Sequence, residues 1–371
     1  FAAGVAGMIA RLSPAALRGE VTAPPSKSDA QRLLIAAWLA GDIDRVQLNG
    51  AQSADIAACV RCLHALGTPE PCLDCGDSGA VLRFLTPVAA ALGGARMTGS
   101  HQLAARPMGA LLHALAENGC RISGGSLPFA VSGGLRGGVY ALPGDISSQF
   151  ISGLLFALPL LGQDSQIRLT SPLRSAGYVE MTRDVLRRFG VRSMWTEDGF
   201  SVPGGQTYRL PAVNALGGRI ALRGLKDDSL QSDRRMAQLA CALHDTVDIA
   251  DIPDLLPLLS VLAAFKPAGT RFTHAGRLRY KESDRLNGCA RLICDLGGLA
   301  QAEEDELLVQ PRPLTGGETD AHGDHRMAMA AAAAACVCPQ GVLLRGAECV
   351  DKSYPAFWAD YKRLGGQMHV L

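Results

Sequence analysis

The sequence predicts an α/β protein with two domains, and two observations lead to that prediction. First, 371 residues exceed the size at which a single hydrophobic core usually keeps growing. Second, helical segments alternate along the chain with short runs that are typical of strands. Hydrophobic residues make up 48% of the chain and aromatic residues only 5%, so we expect Ala, Leu and Val to supply most of the two cores.

Four predicted helices end in a similar way, with a glycine directly after the last apolar residue. Such a glycine can adopt the left-handed conformation that closes a helix. The four endings are Leu63–Gly67, Leu186–Gly190, Ile293–Gly297 and Tyr361–Gly365. A fifth helix is predicted over the alanine-rich stretch Met327–Cys338, whose 12 residues are too few to span a bilayer. We expect this helix to be buried.

Short β-like runs lie between the helices, and polar motifs stand where helices begin. The predicted strands are Arg45–Leu48, Gln166–Thr170, Arg219–Leu222 and Thr270–Thr273. The polar motifs are Ser26–Ser28 before Leu33–Leu39, Gly76–Gly79 before Val81–Leu92, and Ser147–Gln149 before Phe150–Leu161. Because helix N-termini attract anions, these starts are candidates for one shared anion site.

The charge balance excludes partners that are recruited by a strong overall field. The chain has 36 basic and 35 acidic residues, for a net charge of +1, so neither nucleic acid nor an anionic membrane is expected as a partner. The apolar start Phe1–Ala10 lacks a basic segment, and Met8 is a candidate initiator, so we expect no signal peptide. The expected location is the cytoplasm.

Eleven cysteines include two pairs at the spacing of a zinc site, Cys59 with Cys62 and Cys72 with Cys75. Structural zinc sites place their first pair in a tight turn, whereas Cys59 and Cys62 fall within the helical segment Ala54–Leu66. We therefore expect no bound metal, and free cysteines that pack as small apolar residues in a reducing compartment.

Five short clusters combine basic groups with hydroxyls or carboxylates. Arginine matches the planar shape of a carboxylate or phosphate, and lysine adds a compact charge. The clusters are Lys27 and Ser28 with Arg32, Arg106, Lys281–Arg285, Asp324–Arg326, and Lys352. Taken alone, Lys281–Arg285 is as well explained by a solvated helix start with local salt bridges, and Lys352 by a solvated strand end. Together the five clusters indicate a site for anionic ligands. A phosphate-binding loop of the Walker type does not occur in the sequence.

The order of these motifs resembles that of the 5-enolpyruvylshikimate-3-phosphate (EPSP) synthase family. The similarity extends from about Leu12 to Leu364. It rests on Ser26–Ser28 with Arg32, Gly76–Arg83, Arg106–Gly109, Gly144–Phe150, Ile252–Asp254, Leu278–Arg285, Asp324–Met329 and Lys352–Phe357.

The resemblance implies a two-domain, inside-out α/β fold of the enolpyruvyl transferase type. Each domain would contain three βαβαββ-like repeats, with the helices inside and the sheets outside. One domain would be discontinuous, formed by residues 8–20 with 226–371, and would carry the acid, the base and the phosphoenolpyruvate side. Residues 21–225 would form the second domain, on the shikimate 3-phosphate side, with the active site in the cleft between them.

The reaction implied is transfer of the enolpyruvyl group of phosphoenolpyruvate to the 5-hydroxyl of shikimate 3-phosphate, by addition and then elimination of phosphate. The resemblance gives catalytic roles to Asp254, Glu282 and Lys27. Phosphoenolpyruvate would be bound by Lys27, Gly79, Arg106, Gln149, Arg285, Arg326 and Lys352. Shikimate 3-phosphate would be bound by Lys27, Ser28, Arg32, Ser147, Ser148, Gln149, Ser175, Asp254 and Lys281, with Tyr178 in support. Neither a metal nor an organic cofactor is implied, and we expect a monomer.

Several positions differ from the pattern of the family. Asp77 stands where Asn is common, and its carboxylate would cost affinity for an anion unless it is paired or turned away. Pro25 replaces a usual Gly, and Ala176 and Gly177 replace Lys and Pro. Arg277 lies where Asn often binds shikimate 3-phosphate, so that contact is not inferred. The charged stretch Lys226–Arg235 predicts a remodelled return to the first domain.

Two other functions are compatible with the same fold. One is the transfer of enolpyruvyl to UDP-N-acetylglucosamine, but enzymes of that kind commonly use a loop cysteine, and no cysteine lies in a glycine-rich loop here. The other is a non-catalytic phosphosugar-binding protein, which needs cations but has little use for the acid and base offered by Glu282 and Asp254.

Overall fold

The structure, a computed structural model, describes residues 7–21, 24–47, 52–210, 220–221 and 235–371. Contacts divide the chain into two compact units. Unit 1 is formed by Phe1–Ala23 with Ser232–Leu371, and unit 2 by Pro24–Gln231. In the described ranges, no helix is long and apolar enough to cross a membrane.

Unit 2 carries helices and strands that alternate along the chain. Its helices are α1 (Lys27–Leu39), α2 (Ala54–Leu66), α3 (Gly79–Ala91), α4 (His101–Ala104), α5 (Gly109–Glu117), α6 (Ser148–Ala157) and α7 (Ala176–Arg188). Its strands are β2 (Val46–Gln47), β3 (Cys72–Asp74), β4 (Gly94–Thr98), β5 (Arg121–Ser123), β6 (Phe129–Ser132), β7 (Val139–Leu142), β8 (Ser165–Leu169), β9 (Met194–Thr196), β10 (Gly199–Val202) and β11 (Ile220–Ala221).

Two four-stranded sheets of unit 2 have the same topology. Their strand orders are β3-β4-β6-β5 and β7-β8-β10-β9, and in each sheet the first pair is parallel and the others are antiparallel. In chain order each is a βαβαββ repeat, because helices separate its first three strands. The short strands β2 and β11 pair in parallel.

The core of unit 2 lies among helices, and its strands alternate between buried and exposed residues. Strand β4 shows this alternation, with Ala95 and Met97 buried and Arg96 exposed. Helices α3 and α6 are buried over most of their length. They approach closely at Gly153, where a Cβ atom would lie 2.3 Å from the carbonyl oxygen of Arg83. This contact fixes the starts of both helices relative to one another.

Unit 1 is built in the same manner. Its helices are α8 (Met236–Cys241), α9 (Leu256–Ala264), α10 (Arg285–Asp295), α11 (His325–Ala335) and α12 (Phe357–Arg363). Its strands are β1 (Ile9–Ser13), β12 (Thr246–Asp248), β13 (Thr270–Thr273), β14 (Leu299–Ala302), β15 (Leu307–Gln310), β16 (Gly317–Asp320), β17 (Val342–Arg345) and β18 (Gln367–Val370). The sheets have the orders β12-β13-β15-β14 and β16-β17-β1-β18. Strand β1 comes from the start of the chain, and it completes a sheet whose other three strands come from the C-terminal part of the chain.

Most of the local predictions are confirmed. Strand β13 has the predicted bounds, α11 is buried as expected, and Gly190, Gly297 and Gly365 follow their helices in the left-handed region. Helix α2 also ends where predicted, directly before Gly67, but this glycine keeps a right-handed backbone with a φ of −79°. The predicted strands Arg45–Leu48 and Arg219–Leu222 are shorter among the described residues, and their ends at Leu48, Arg219 and Leu222 lie outside them.

The number of repeats differs between the implied fold and the described residues. Three repeats were implied for each domain, whereas the described part of unit 1 forms two four-stranded sheets. Every site residue assigned to unit 1 lies on these two repeats or on the turns between their elements.

Candidate active site

In unit 1, the predicted acid and base lie together around one buried arginine. Asp254 is in the single helical turn Pro253–Leu255 that precedes α9, and Glu282 lies just before α10. Arg285 is the first residue of α10, and its side chain is fully buried. The polar group is therefore assembled at helix starts, as the sequence predicted.

The guanidinium of Arg285 donates to three carboxylates. Its Nη1 lies 2.7 Å from Asp254, its Nη2 lies 2.6 Å from Glu282, and its Nε lies 2.8 Å from Asp324. Asp324 is the N-cap of α11 and also accepts from the backbone N–H of Arg326 at 3.0 Å. A buried charge with these partners is well compensated, and the carboxylates raise the pKa of Arg285 although burial opposes this.

Asp254 accepts from a second arginine as well. Arg326, in the first turn of α11, donates from Nη2 to Asp254 at 3.0 Å, and its Nη1 lies 2.7 Å from the ring of His325. Burial alone would raise the pKa of Asp254, but Arg326, Lys281 and Arg285 outweigh it and hold this pKa well below its usual range. Asp254 is therefore ionised at neutral pH.

Two lysines of unit 1, Lys281 and Lys352, are also among the predicted site residues. Partial burial lowers the pKa of Lys281 to about 8, an effect that Asp254 opposes and that Arg285 and Arg277 strengthen. Lys352 ends a short helical turn, Ala347–Lys352, that packs against α11, and it is only 8% exposed. Cations and carboxylates are thus both concentrated in this part of unit 1.

In unit 2, Gly79 and Arg106 form a second candidate position for an anion. Gly79 begins α3, and a Cβ atom there would lie 2.8 Å from Nη1 of Arg106. The Nε and Nη2 atoms of Arg106 are buried and have no hydrogen-bond partner among the described residues. Since a buried arginine without partners is costly, these atoms are suited to an anionic ligand at the start of α3.

Arg83 holds Gln149 beside this position. It donates from Nη1 to the side-chain oxygen of Gln149 at 2.9 Å and from Nη2 to the carbonyl oxygen of Pro107 at 3.1 Å. Its guanidinium also lies over the ring of Phe150. The amide group of Gln149 is therefore oriented with its nitrogen available for a ligand.

Two of the predicted serines lie at helix starts, and a third has an unusual backbone. Ser147 is the N-cap of α6 and accepts from the backbone of Gln149, and Ser148 begins that helix. Ser175 precedes α7 with a φ of 56° and is buried. A non-glycine residue in the left-handed region is often found at functional positions.

Arg32 and Lys27, both on α1, have partners within unit 2. Arg32 donates to the hydroxyl of Thr182 at 2.7 Å and to the carbonyl oxygens of Ser28 and Tyr178, and burial lowers its pKa to about 10. It therefore joins α1 to α7 whether or not it also binds a ligand. Lys27 begins α1 and pairs with Asp55.

Two of the residues that depart from the family pattern, Asp77 and Arg277, form hydrogen bonds within their own units. The carboxylate of Asp77 accepts from the hydroxyl of Ser100, the N-cap of α4. Arg277 donates to the carbonyl oxygen of Ala250. Of the segment Lys226–Arg235, all residues but Arg235 lie outside the described ranges.

The first cysteine pair lies within a helix, as the sequence predicted. Cys59 and Cys62 are both buried on α2, and Cys62 donates to the carbonyl oxygen of Asp74 at 3.2 Å. Burial raises the pKa of Cys59 well above its usual value. Within the described ranges, no group of three or more His, Cys, Asp and Glu side chains is arranged to hold a metal ion.

Three residues of these groups were not among the predicted site residues. Asp324 and Arg83 belong to the family motifs Asp324–Met329 and Gly76–Arg83. These motifs could therefore have identified both residues. Asp55 had a weaker signal, an acidic residue two positions after the helix-capping Ser53. That pattern predicts a helix start and says nothing about a partner on another helix.

Comparison with known proteins agrees with the motifs. The sequence pattern of the EPSP synthase (3-phosphoshikimate 1-carboxyvinyltransferase) family matches residues 68–221 and 227–361. The 3-phosphoshikimate 1-carboxyvinyltransferase of Clostridium kluyveri is 35% identical over 420 positions, which cover 96% of this chain and 97% of that protein. The protein of the same name from Halobacterium salinarum is 34% identical, with 98% of each chain covered.

Solved structures share the fold at lower sequence identity. EPSP synthase from Acinetobacter baumannii superposes with a TM-score of 0.72 at 22% identity, covering 98% of this chain and 100% of that one. The enolpyruvyl transferase NikO from Streptomyces tendae superposes with a TM-score of 0.74 at 15% identity, covering 99% of each.

The alignment with the Clostridium kluyveri protein also contains positions that this chain lacks. The 420 positions aligned with the Clostridium kluyveri protein exceed the 371 residues of this chain, so at least 49 positions of that relative have no counterpart here. The two segments matched by the family pattern are separated at residues 222–226. The motifs occur in the family order, the family pattern matches most of the chain, and a relative is 35% identical over nearly its full length. The chain therefore belongs to the EPSP synthase family.

Proposed function

We propose that this protein transfers the enolpyruvyl group of phosphoenolpyruvate to the 5-hydroxyl of shikimate 3-phosphate, a reaction of aromatic amino acid and chorismate biosynthesis. The observation that carries the proposal is the group formed by Asp254, Glu282, Arg285 and Arg326. A protein that only binds anions needs arginines, whereas the transfer reaction also needs an acid and a base, and two carboxylates lie among these arginines at 2.6–3.0 Å.

The reaction consists of an addition and an elimination. In the addition, the 5-hydroxyl oxygen bonds to C2 of phosphoenolpyruvate, the hydroxyl proton passes to a base, and an acid protonates C3. In the elimination, the bond between C2 and the phosphate oxygen breaks, and C3 loses a proton. We assign the base to Asp254 and the acid to Glu282, with the roles exchanged in the second step. Lys27 assists as a cation beside the reacting groups.

The cations would bind the two substrates and stabilise the charge that develops on the departing phosphate. For phosphoenolpyruvate we propose Lys27, Gly79, Arg106, Gln149, Arg285, Arg326 and Lys352. For shikimate 3-phosphate we propose Lys27, Ser28, Arg32, Ser147, Ser148, Gln149, Ser175, Asp254 and Lys281. Support comes from the unpartnered Nε and Nη2 atoms of Arg106 and from the positions of these residues at helix starts.

The pairing of Asp254 places a requirement on catalysis. A carboxylate with a pKa held so low by two arginines is a weak base. When the anionic groups of phosphoenolpyruvate bind beside these arginines, their negative charge opposes the effect of Arg285 and Arg326 on Asp254, and the pKa of Asp254 rises toward the range useful for proton transfer. The base would then become effective only when the co-substrate is bound.

Other parts of the proposal follow from the same chemistry. The reaction needs neither a metal ion nor an organic cofactor, because the arginines and lysines neutralise the substrate charges. We further propose that the protein is a cytoplasmic monomer.

Phosphate release by the purified protein tests this function. We expect release with phosphoenolpyruvate and shikimate 3-phosphate together, none when either is omitted, and no effect of EDTA. Release only when UDP-N-acetylglucosamine replaces shikimate 3-phosphate would assign the other transferase reaction. No release with either acceptor, together with calorimetric binding of shikimate 3-phosphate, would indicate a binding protein.

A further inference from the structure

A buried ion pair in unit 2 joins α1 to α2. The Nζ atom of Lys27 lies 2.7 Å from a carboxylate oxygen of Asp55. We propose that Asp55 is a positioning residue, which holds the side chain of Lys27 in the conformation in which it meets the substrates. The inference rests on the role proposed above for Lys27.

The burial of Asp55 indicates that its carboxylate serves this pair. Its side chain is 7% exposed and that of Lys27 is 16% exposed. Carboxylates in the first turn of a helix usually stay near water and favour the helix N-terminus. At the start of α2 the capping is done by Ser53, whose hydroxyl accepts from the backbone of Ile56 at 3.3 Å. Burying a carboxylate is costly unless a cation accompanies it, and here the cation is Lys27.

The pair leaves Lys27 able to bind a ligand. A lysine ammonium has three N–H donors, and Asp55 accepts from one of them. Within the described ranges, Asp55 is the one hydrogen-bonding or ionic partner of Lys27, so two donors remain for substrate oxygens. Asp55 therefore directs the ammonium without saturating it.

Asp55 itself is held by a side chain from α1. The amide nitrogen of Gln31, a residue that is 1% exposed, lies 3.2 Å from the carbonyl oxygen of Asp55 and 3.3 Å from the hydroxyl of Ser78. Ser78 is the N-cap of α3, the helix that begins with Gly79. Asp55 is thus fixed to the same frame as the start of α3, whereas Lys27 is a long side chain with four rotatable bonds.

The expected contribution of Asp55 to substrate affinity follows from the conformational entropy that the ion pair removes from the side chain of Lys27. A lysine without an anchor must be ordered anew by each substrate, and the side-chain entropy involved corresponds to about 10- to 30-fold in affinity. Loss of Asp55 should therefore weaken catalysis through Lys27 and leave other contacts unchanged.

A double-mutant cycle tests this inference, because a residue that acts through another loses its effect when that other residue is removed. We would measure kcat/KM, and the dissociation constant of shikimate 3-phosphate by calorimetry, for wild type, Lys27→Met, Asp55→Asn and the double variant. We expect Asp55→Asn to reduce kcat/KM by about 10- to 30-fold in the wild-type background. In the Lys27→Met background, Asp55→Asn should change both kcat/KM and the dissociation constant of shikimate 3-phosphate by less than twofold.

Two further variants make the outcome unambiguous. Asp42→Asn removes a half-exposed ion pair with Arg45 in the same unit and should behave like wild type. If Asp55→Asn does not fold, Asp55→Glu, which keeps the charge and displaces it, replaces it in the cycle with the same expected pattern. Losses that multiply in the double variant would overturn the inference and make Asp55 a structural residue.

The proposed function and this inference fail in different ways. Normal activity of Lys27→Met would refute the role assigned to Lys27 itself. An inactive Lys27→Met beside a fully active Asp55→Asn would leave that role intact and refute the positioning by Asp55.

Discussion

Replacing Arg285 by Met tests whether the buried arginine holds the acid and base together. The side chain is fully buried, and it contacts Asp254, Glu282 and Asp324 at 2.6–2.8 Å. Methionine fills much of the same volume but offers no charge, so Asp324, which is also fully buried, loses its ionic partner.

The loss of stability in Arg285→Met depends on the buried carboxylate charge that remains without a partner. Removing one partner of a buried ion pair typically costs about 3–5 kcal/mol, because the remaining charge stays buried. At about 2–4 °C per kcal/mol for a domain of 150–250 residues, the melting temperature should fall by roughly 6–20 °C. Differential scanning calorimetry at pH 7 measures this directly.

The loss should also depend on pH, with a sign that the structure determines. Because the pKa of Asp254 is held below its ordinary value, its pairing stabilises the native state above about pH 4, and this contribution is lost as the pH falls further. Without Arg285 the pKa of Asp254 moves up, so the carboxylate is protonated more readily. The difference in stability between wild type and variant should therefore become smaller as the pH falls from 4 toward 2.

A surface pair provides the matched control. Arg345 pairs with Glu318 in the same unit, and their side chains are 48% and 50% exposed. Arg345→Met should change stability by less than about 1 kcal/mol. A loss of less than 1 kcal/mol in Arg285→Met, or an equal loss at pH 7 and pH 2, would refute the reasoning about the buried arginine.

Three further changes test individual roles. Asp254→Asn should reduce kcat by on the order of 100-fold or more, because the amide cannot accept the hydroxyl proton, while calorimetry still detects binding of shikimate 3-phosphate. Since burial lowers the pKa of Lys281 to about 8, this lysine loses its charge above that pH; the dissociation constant of shikimate 3-phosphate should rise there, and Lys281→Arg should flatten the profile. Gly79→Ala places a Cβ atom 2.8 Å from Nη1 of Arg106, so the arginine must move, and KM for phosphoenolpyruvate should rise by about 10- to 100-fold, the worth of one charge-assisted hydrogen bond.

Each of these predictions has an outcome that contradicts it. Near-normal turnover of Asp254→Asn would remove Asp254 as the base. A pH profile that is the same with Lys281 and with arginine would show that another group titrates. An unchanged KM in Gly79→Ala, with circular dichroism showing an intact fold, would place phosphoenolpyruvate away from the start of α3.

The sequence predicted local features well because these depend on neighbouring residues. Short β-like runs and helix-ending glycines located strand β13 and the ends of α7, α10 and α12. Ser26, before Lys27, caps α1 as its position suggested. The polar motifs predicted which side chains would stand at helix starts. Nothing in these patterns depends on how distant segments pack.

Features that depend on distant segments were missed or undetermined. The pairing of Lys27 with Asp55, and of Asp77 with Ser100, joins residues from different helices or turns. The left-handed backbone of Ser175 has no sequence signal, because serine rarely adopts it.

The most direct test of the central claim is to run the reaction in deuterium oxide and examine the product by mass spectrometry and proton NMR. Addition followed by elimination turns C3 of phosphoenolpyruvate briefly into a methyl group that has gained one solvent proton. We therefore predict deuterium in the vinyl methylene of the product, with both phosphoenolpyruvate and shikimate 3-phosphate required. A product that forms without deuterium at that carbon, or no enolpyruvyl product at all, would contradict the proposed mechanism.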